Sequence, residues 1–163
     1  MNAKPMYLFR VSGIPADVID EIRHLSDSEL TKQRAVRRIV DTRPGFPCLV
    51  TLEDAEIGES VLLFNFEHLA GPSPYRSVGP IFVRESASER YSKINEIPEV
   101  LRVSGRLLSM RAYDEADMLV DAAVIESVEI EASIQRLFAN ASIAYIHVHN
   151  AGPGCYSCRI DRA

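Results

Sequence analysis

The stretch Tyr145-Ile-His-Val-His-Asn150-Ala-Gly-Pro-Gly-Cys155-Tyr-Ser-Cys-Arg-Ile160 reads as two strands folded back on each other around a Gly-Pro-Gly turn. Side chains alternate along a strand, so Ile146 and Val148 share one face while Tyr145, His147 and His149 share the other. Register across the turn decides what the second strand contributes. A four-residue link, 151–154, would set Cys158 opposite His147 and bring a thiol to an imidazole. A five-residue link pairs Val148 with Cys158 and Ile146 with Ile160, which keeps one apolar face continuous. The second register is expected because it buries apolar groups together. Cys158 is then a core residue and Cys155 the thiol of the turn.

Working outward, the pattern remains one of strands and hairpins. Leu108, Met110 and Ala112 alternate with Ser109, Arg111 and Tyr113, and Asp114 to Asp117 turn the chain into a partner strand over 118–125. Ile130, Ile134, Leu137 and Phe138 follow the spacing of a helix lying on a sheet. Earlier strands are expected over 6–11, 48–53, 61–68 and 81–84. A helix is expected after Pro15, carrying Val18, Ile19, Ile22 and Leu25 on one face. Ser26 and Glu29 have the spacing of a capping box, so a second short helix starts there. Residues 97–101 suggest a brief further helix. The segment 70–80 is too rich in proline and glycine to be regular and reads as a long loop. The expected fold is α+β: a largely antiparallel β-sheet built from hairpins, with about three short helices packed on it, in a single globular domain over 1–163.

Composition narrows the function. At 163 residues the chain can bury a real core, and its 47% hydrophobic and 25% charged residues are ordinary for a globular protein. A net charge of -5 argues against general nucleic-acid binding. No apolar run is long enough to span a membrane. An odd number of cysteines and a polar start at Met1-Asn-Ala-Lys-Pro predict a reducing, cytoplasmic setting. The basic residues are arginine except for Lys4, Lys32 and Lys93; arginine suits two-pronged binding of carboxylate or phosphate, and equally suits surface ion pairs. No Gly-rich phosphate loop, dinucleotide fingerprint, Gly-x-Ser-x-Gly elbow or His-Glu-x-x-His is present. No cofactor is indicated.

The candidate chemistry lies in cysteine, histidine and arginine. Cys155 follows Gly152-Pro-Gly154, whose backbone N–H groups could form a small anion-binding concavity. With His149 or His147 as base it could act as a nucleophile; the alternative is an inert thiol that packs as a small hydrophobe. Cys48, at the end of the rigid Arg43-Pro-Gly-Phe-Pro-Cys48, is a second possible nucleophile or a resolving partner. Arg76 at the tip of the long loop, with Tyr75 beside it, and Arg111 on a polar strand face are expected to hold an anionic ligand, with Asn150 near them. Pairing of these arginines with Glu67, Glu85, Asp114 or Asp121 is the structural alternative. His68 ends a strand and starts the loop, so it could join either group.

Three explanations follow. The first is a protein that binds or acts on an anionic small molecule through a Cys/His/Arg site. The second is a non-catalytic binding module, or a homodimeric assembly module formed through the sheet. The third is a metal site built on the His-x-His strand from His147, His149 and Cys155.

Three segments in order carry a resemblance: Pro44-Gly-Phe-Pro-Cys48 with Leu52-Glu-Asp-Ala-Glu-Ile-Gly-Glu59; Ser73-Pro-Tyr-Arg76 with Gly79-Pro-Ile-Phe-Val83; and Arg111-Ala-Tyr-Asp114 with residues 145–155. Together they resemble a bacterial family of uncharacterised proteins, domain of unknown function 1203. The resemblance implies a bacterial single-domain protein and brings no established activity.

Overall fold

The computed structural model describes residues 6–163. Its principal sheet has six antiparallel strands in the order β7-β1-β11-β10-β8-β9. In chain order these are β1 (Phe9–Ser12), β7 (Ser92–Ile94), β8 (Leu107–Tyr113), β9 (Leu119–Glu126), β10 (Tyr145–Asn150) and β11 (Tyr156–Arg162). A second sheet joins β2 (Val36–Ile39), β5 (Ser60–Leu69) and β6 (Ser77–Arg84), and a small pair joins β3 (Pro47–Cys48) to β4 (Glu53–Asp54).

The 145–160 hairpin has the expected pairing of Val148 with Cys158 but reaches it differently: Asn150 N–H donates to the Cys155 carbonyl, so residues 151–154 form the link and a bulge restores the apolar register. Ile146 faces Ile160 and Val148 faces Cys158, and all four are fully buried. The bulge falls next to this pair, so that His149 faces Tyr156 and not Ser157. One extra residue on β11 turns the Tyr156 ring to the histidine side of the sheet. Gly154 adopts φ +79, a left-handed conformation that a side chain would strain, and its N–H donates to the Asn150 carbonyl at 2.8 Å to close the loop.

The apolar side of this hairpin carries α2 (Ile130–Phe138), which lays Ile130, Ile134, Leu137 and Phe138 onto Met110, Ile146, Val148 and Ile160. The opposite side receives the three-stranded sheet. There Leu62, Phe64, Ile81 and Val83 pack with Ile14, Ile19, Cys48 and Tyr156. Leu69 closes a further contact with Tyr113 and Tyr145. β10 is therefore covered on both faces.

Several expectations change. The three helices reduce to about one, α2, beside α1 (Asp27–Lys32), which is under two turns long. α1 does start with the expected capping box between Ser26 and Glu29. The segment after Pro15 winds only one 3₁₀ turn, Ala16–Ile19, before passing into irregular turns. Its late carbonyls are claimed by a side chain: Arg37 Nη2 donates to the Leu25 carbonyl at 3.0 Å, which removes the need for a continuing helix. Residues 97–101 likewise give a 3₁₀ turn, Glu99–Leu101.

The expected strand over 48–53 is instead a turn between β3 and β4, with Leu52 at φ 52. Its apolar residues Leu49, Val50 and Leu52 are buried as loop, because Leu49 N–H donates to the Phe82 carbonyl and the Val50 carbonyl accepts from Tyr91 N–H. The long loop is shorter than expected. β6 already starts at Ser77, and Pro80 fits there because β6 is an edge strand. Residues 92–94 form β7, which pairs with β1. The first strand starts only at Phe9, Met6 and Leu8 being exposed. Among the described residues no helix is long and apolar enough to cross a membrane.

Candidate functional site

The histidine face of the large sheet is assembled by register. Arg159 on β11, His147 on β10, Arg111 on β8 and Ala122 on β9 stand in one row across the four strands. The next row holds Tyr156, His149, Ser109 and Val124. The three-stranded sheet covers the β10–β11 half and brings His68, near the end of β5, down onto it. The His68 ring stacks on Tyr156 at 4.8 Å between centroids and meets His149 edge-on at 5.0 Å. His147 lies 6.0 Å from His68 and 6.5 Å from His149, against Tyr113, Tyr145 and Tyr156.

Between the two sheets a cleft of about 240 Å³ remains. His68, Arg111, His149, Cys155 and Tyr156 line it from the large sheet and β5, and Ser77 to Pro80 of β6 close its other side. The descending part of the proline-rich segment thus contributes to the lining, while its arginine, Arg76, does not. Larger surface depressions exist, of about 390 Å³ beside Arg102 and Glu126 and about 630 Å³ beside Asp114 and Arg162. Neither contains a histidine, a cysteine or any buried polar atom lacking a partner, whereas a third of about 570 Å³ holds a single histidine, His24, beside Arg23, whose buried Nε lacks one.

The cleft is where unsatisfied polarity concentrates. His147 and His149 are 2% and 1% exposed, and each has a buried ring nitrogen with no hydrogen-bond partner: Nδ1 of His147 and Nε2 of His149. His68 Nδ1 is in the same condition. A buried polar atom left unpaired costs about 1–3 kcal/mol, so two on residues that line the cleft and a third directly behind them are not accounted for by stability. Burial, reinforced by Arg159 and the neighbouring imidazoles, lowers His147 to about 2. Burial lowers His149 to about 4, with Arg111 adding to it while its Gly154 hydrogen bond opposes. His68 is lowered by the same two causes, burial first and Arg111 second. All three rings are neutral at pH 7.

For His149 the tautomer follows from its partner. Nδ1 lies 3.0 Å from the carbonyl oxygen of Gly154, which can only accept, so Nδ1 carries the proton and Nε2 is a bare acceptor. Arg111 supplies the positive charge. Its Nε donates to Ser109 Oγ at 3.2 Å, and among the described residues no carboxylate lies within ion-pairing distance of it. Arg159, by contrast, is engaged by Asp161 and covers the Tyr145 ring at 3.8 Å.

Of the residues singled out in the sequence, His68, His149, Cys155 and Arg111 meet at the cleft, with His147 packed directly behind them. Asn150 supports Cys155: its Nδ2 donates to Sγ at 3.6 Å, and its backbone N–H donates to the Cys155 carbonyl at 2.9 Å. Cys48 lies elsewhere, fully buried in the second core, where Sγ accepts from Arg84 N–H at 3.4 Å. Arg76 is 65% exposed and paired with Glu67, away from the cleft lining. Tyr75 leans edge-on against Tyr113 at 6.1 Å. Tyr156 and Ser109 escaped the sequence reading. Tyr156 needed the bulge to reach this face, which no local signal announces.

The metal reading built on His147, His149 and Cys155 fails on geometry. Among the described residues no three His, Cys, Asp or Glu side chains are placed to hold an ion. His149 Nδ1 is spent on Gly154, and the rings pack edge-to-face with tyrosines.

No curated protein and no solved structure matches this chain. A family pattern does, over residues 45–162, and that span takes in β5, β6 and every strand of the cleft. The sheet pair, the imidazoles and Cys155 are thus features of a chain that belongs to the family described as protein of unknown function, DUF1203.

Proposed function

We propose that this protein binds a small anionic molecule in the cleft between its two sheets, with Arg111 as the anchor for the acid group. The observation that carries the reading is the pairing, in one small space, of a guanidinium that no carboxylate neutralises with imidazoles that burial keeps uncharged. Such a space is electropositive without repelling ligand donors, and its volume suits a metabolite of a few heavy atoms more than a drug-sized molecule. Cys155 and His149 border the same space, with the thiol held by Asn150 Nδ2 at 3.6 Å and not by the imidazole. Arg76 is the weaker anchor, since Glu67 already occupies it.

The test is a titration of the protein with small carboxylates and phosphates, followed by amide NMR shifts at Gly154 and Cys155. Arg111→Gln is expected to weaken binding at least tenfold, in line with the roughly 1.5–3 kcal/mol of a charge-assisted hydrogen bond, while Arg76→Gln leaves it unchanged. An Arg111 variant that binds as the parent does would sink the reading.

A second reading, homodimer assembly through the sheet, is favoured by β9. It is an edge strand of eight residues without proline or lysine, and it presents Val120, Ala122 and Val124 to solvent, Val124 at 65% exposure. An edge of this kind is a template for pairing with a second copy.

A further inference from the structure

We infer that the anion held in this cleft carries a hydroxyl group, and that His149 Nε2 accepts its hydrogen bond; the ligand class is a small hydroxy acid or hydroxylated phosphate. The inference rests on the anion reading above and narrows it. Three observations carry it.

First, His149 has no freedom of tautomer. Its Nδ1–H is committed to the Gly154 carbonyl, so Nε2, the remaining nitrogen of a ring that lines the cleft, is an acceptor and needs a donor. Second, that acceptor is buried and without a partner among the described residues, on a side chain 1% exposed. A ligand donor would relieve a penalty the fold otherwise carries. Third, the donor must be uncharged. Among the described residues Arg111 is the only charged side chain lining the cleft, and no Asp or Glu lines it. An ammonium group would face a guanidinium with nothing to balance it, whereas a hydroxyl donates without adding charge. The low basicity of the buried ring agrees with this, since His149 stays an acceptor across the physiological range.

Selectivity for a hydroxyl built this way is strong in principle. The analogue lacking it leaves a buried acceptor unpaired, and that is a more severe loss than missing apolar contact.

Matched pairs test the idea: lactate against propionate, and glycerol 3-phosphate against propyl phosphate, each titrated by NMR, with alanine as the charged-donor control. The hydroxylated member is expected to bind at least tenfold more tightly, and alanine no better than propionate. His149→Leu is expected to erase the preference, bringing lactate and propionate, and likewise the two phosphates, to within twofold of each other. Equal affinity within a pair overturns the hydroxyl inference and leaves the anion reading standing. Binding by neither pair overturns both. Alanine binding as well as lactate overturns the argument from charge. Because the leucine variant could misfold, a second measurement uses the parent protein alone. Ring-nitrogen NMR at pH 7 should show His149 protonated at Nδ1 and bare at Nε2, with the Nε2 signal moving on lactate or glycerol 3-phosphate addition. A proton on Nε2 in the free protein, or an unmoved signal at saturation, refutes the inference.

Discussion

Each buried imidazole sets a sign for the response to acid. His149 titrates at about 4 and His147 at about 2, against an ordinary value of 6.5, because burial penalises the charged ring. The unfolded chain therefore binds more protons than the folded one between those limits. The stability these rings contribute is fully present above about pH 6.5 and drains as pH falls through 4 toward 2. Each ring adds up to about 1.4 kcal/mol per pH unit to that slope. Urea denaturation at pH 7 and pH 5 should show a clearly lower midpoint at pH 5, and His147→Phe should flatten the difference. Equal midpoints for the parent at both pH values would mean that the rings are not buried as described. Thiols divide at the same scale. Cys48 and Cys158 are fully buried and Cys155 is half-buried in the turn. Ellman's reagent should modify Cys155 in the native protein and reach the other two only in denaturant; rapid modification of two thiols in the folded state would contradict this placement.

At the scale of elements, the hairpin of β10 and β11 carries the argument. Its register puts Cys158 among Val148, Ile160 and the α2 residues, where burial also pushes the thiol pKa up. Cys158→Ser places an unpaired hydroxyl in that core and should cost about 1–3 kcal/mol by chemical denaturation, while Cys155→Ser should change stability by under about 0.5 kcal/mol. A reversed order would favour a pairing of Cys158 with His147. Helix α2 is held by the same face: Ile134 is fully buried, and Ile134→Ala should cost about 2–5 kcal/mol. These elements were legible in the sequence because each announces itself locally, α2 by its apolar spacing and the hairpin by alternation around glycines. The stretch 49–52 was misread for the same reason. Its apolar run has the composition of a strand, but those side chains are buried by neighbours from β6 and from residue 91, which a local pattern does not contain.

At the scale of the whole molecule, the two sheets are joined where Gly13 follows β1. A methyl group there would collide with the carbonyl oxygens of Leu49 and Val50, so only glycine lets the chain cross that turn. On the far side, β9 leaves the sheet open. If two copies pair there, Val124→Lys should convert a concentration-dependent dimer into a monomer in sedimentation velocity without changing the circular dichroism; a parent protein monomeric at high concentration removes the assembly reading. The sequence by itself determined the α+β class, the antiparallel hairpins, the capping box before α1, the core position of Cys158 and the turn position of Cys155. All of these follow from alternation, helical spacing and turn chemistry within a few residues. Tertiary structure alone decided which candidates meet. His68 comes from a strand 79 residues before His147, and Arg111 joins through sheet register. Cys48 and Arg76 stay away because a buried core claims one and Glu67 the other. Packing of one sheet on another brings distant residues together, and that is set by contacts between faces that no stretch of sequence contains.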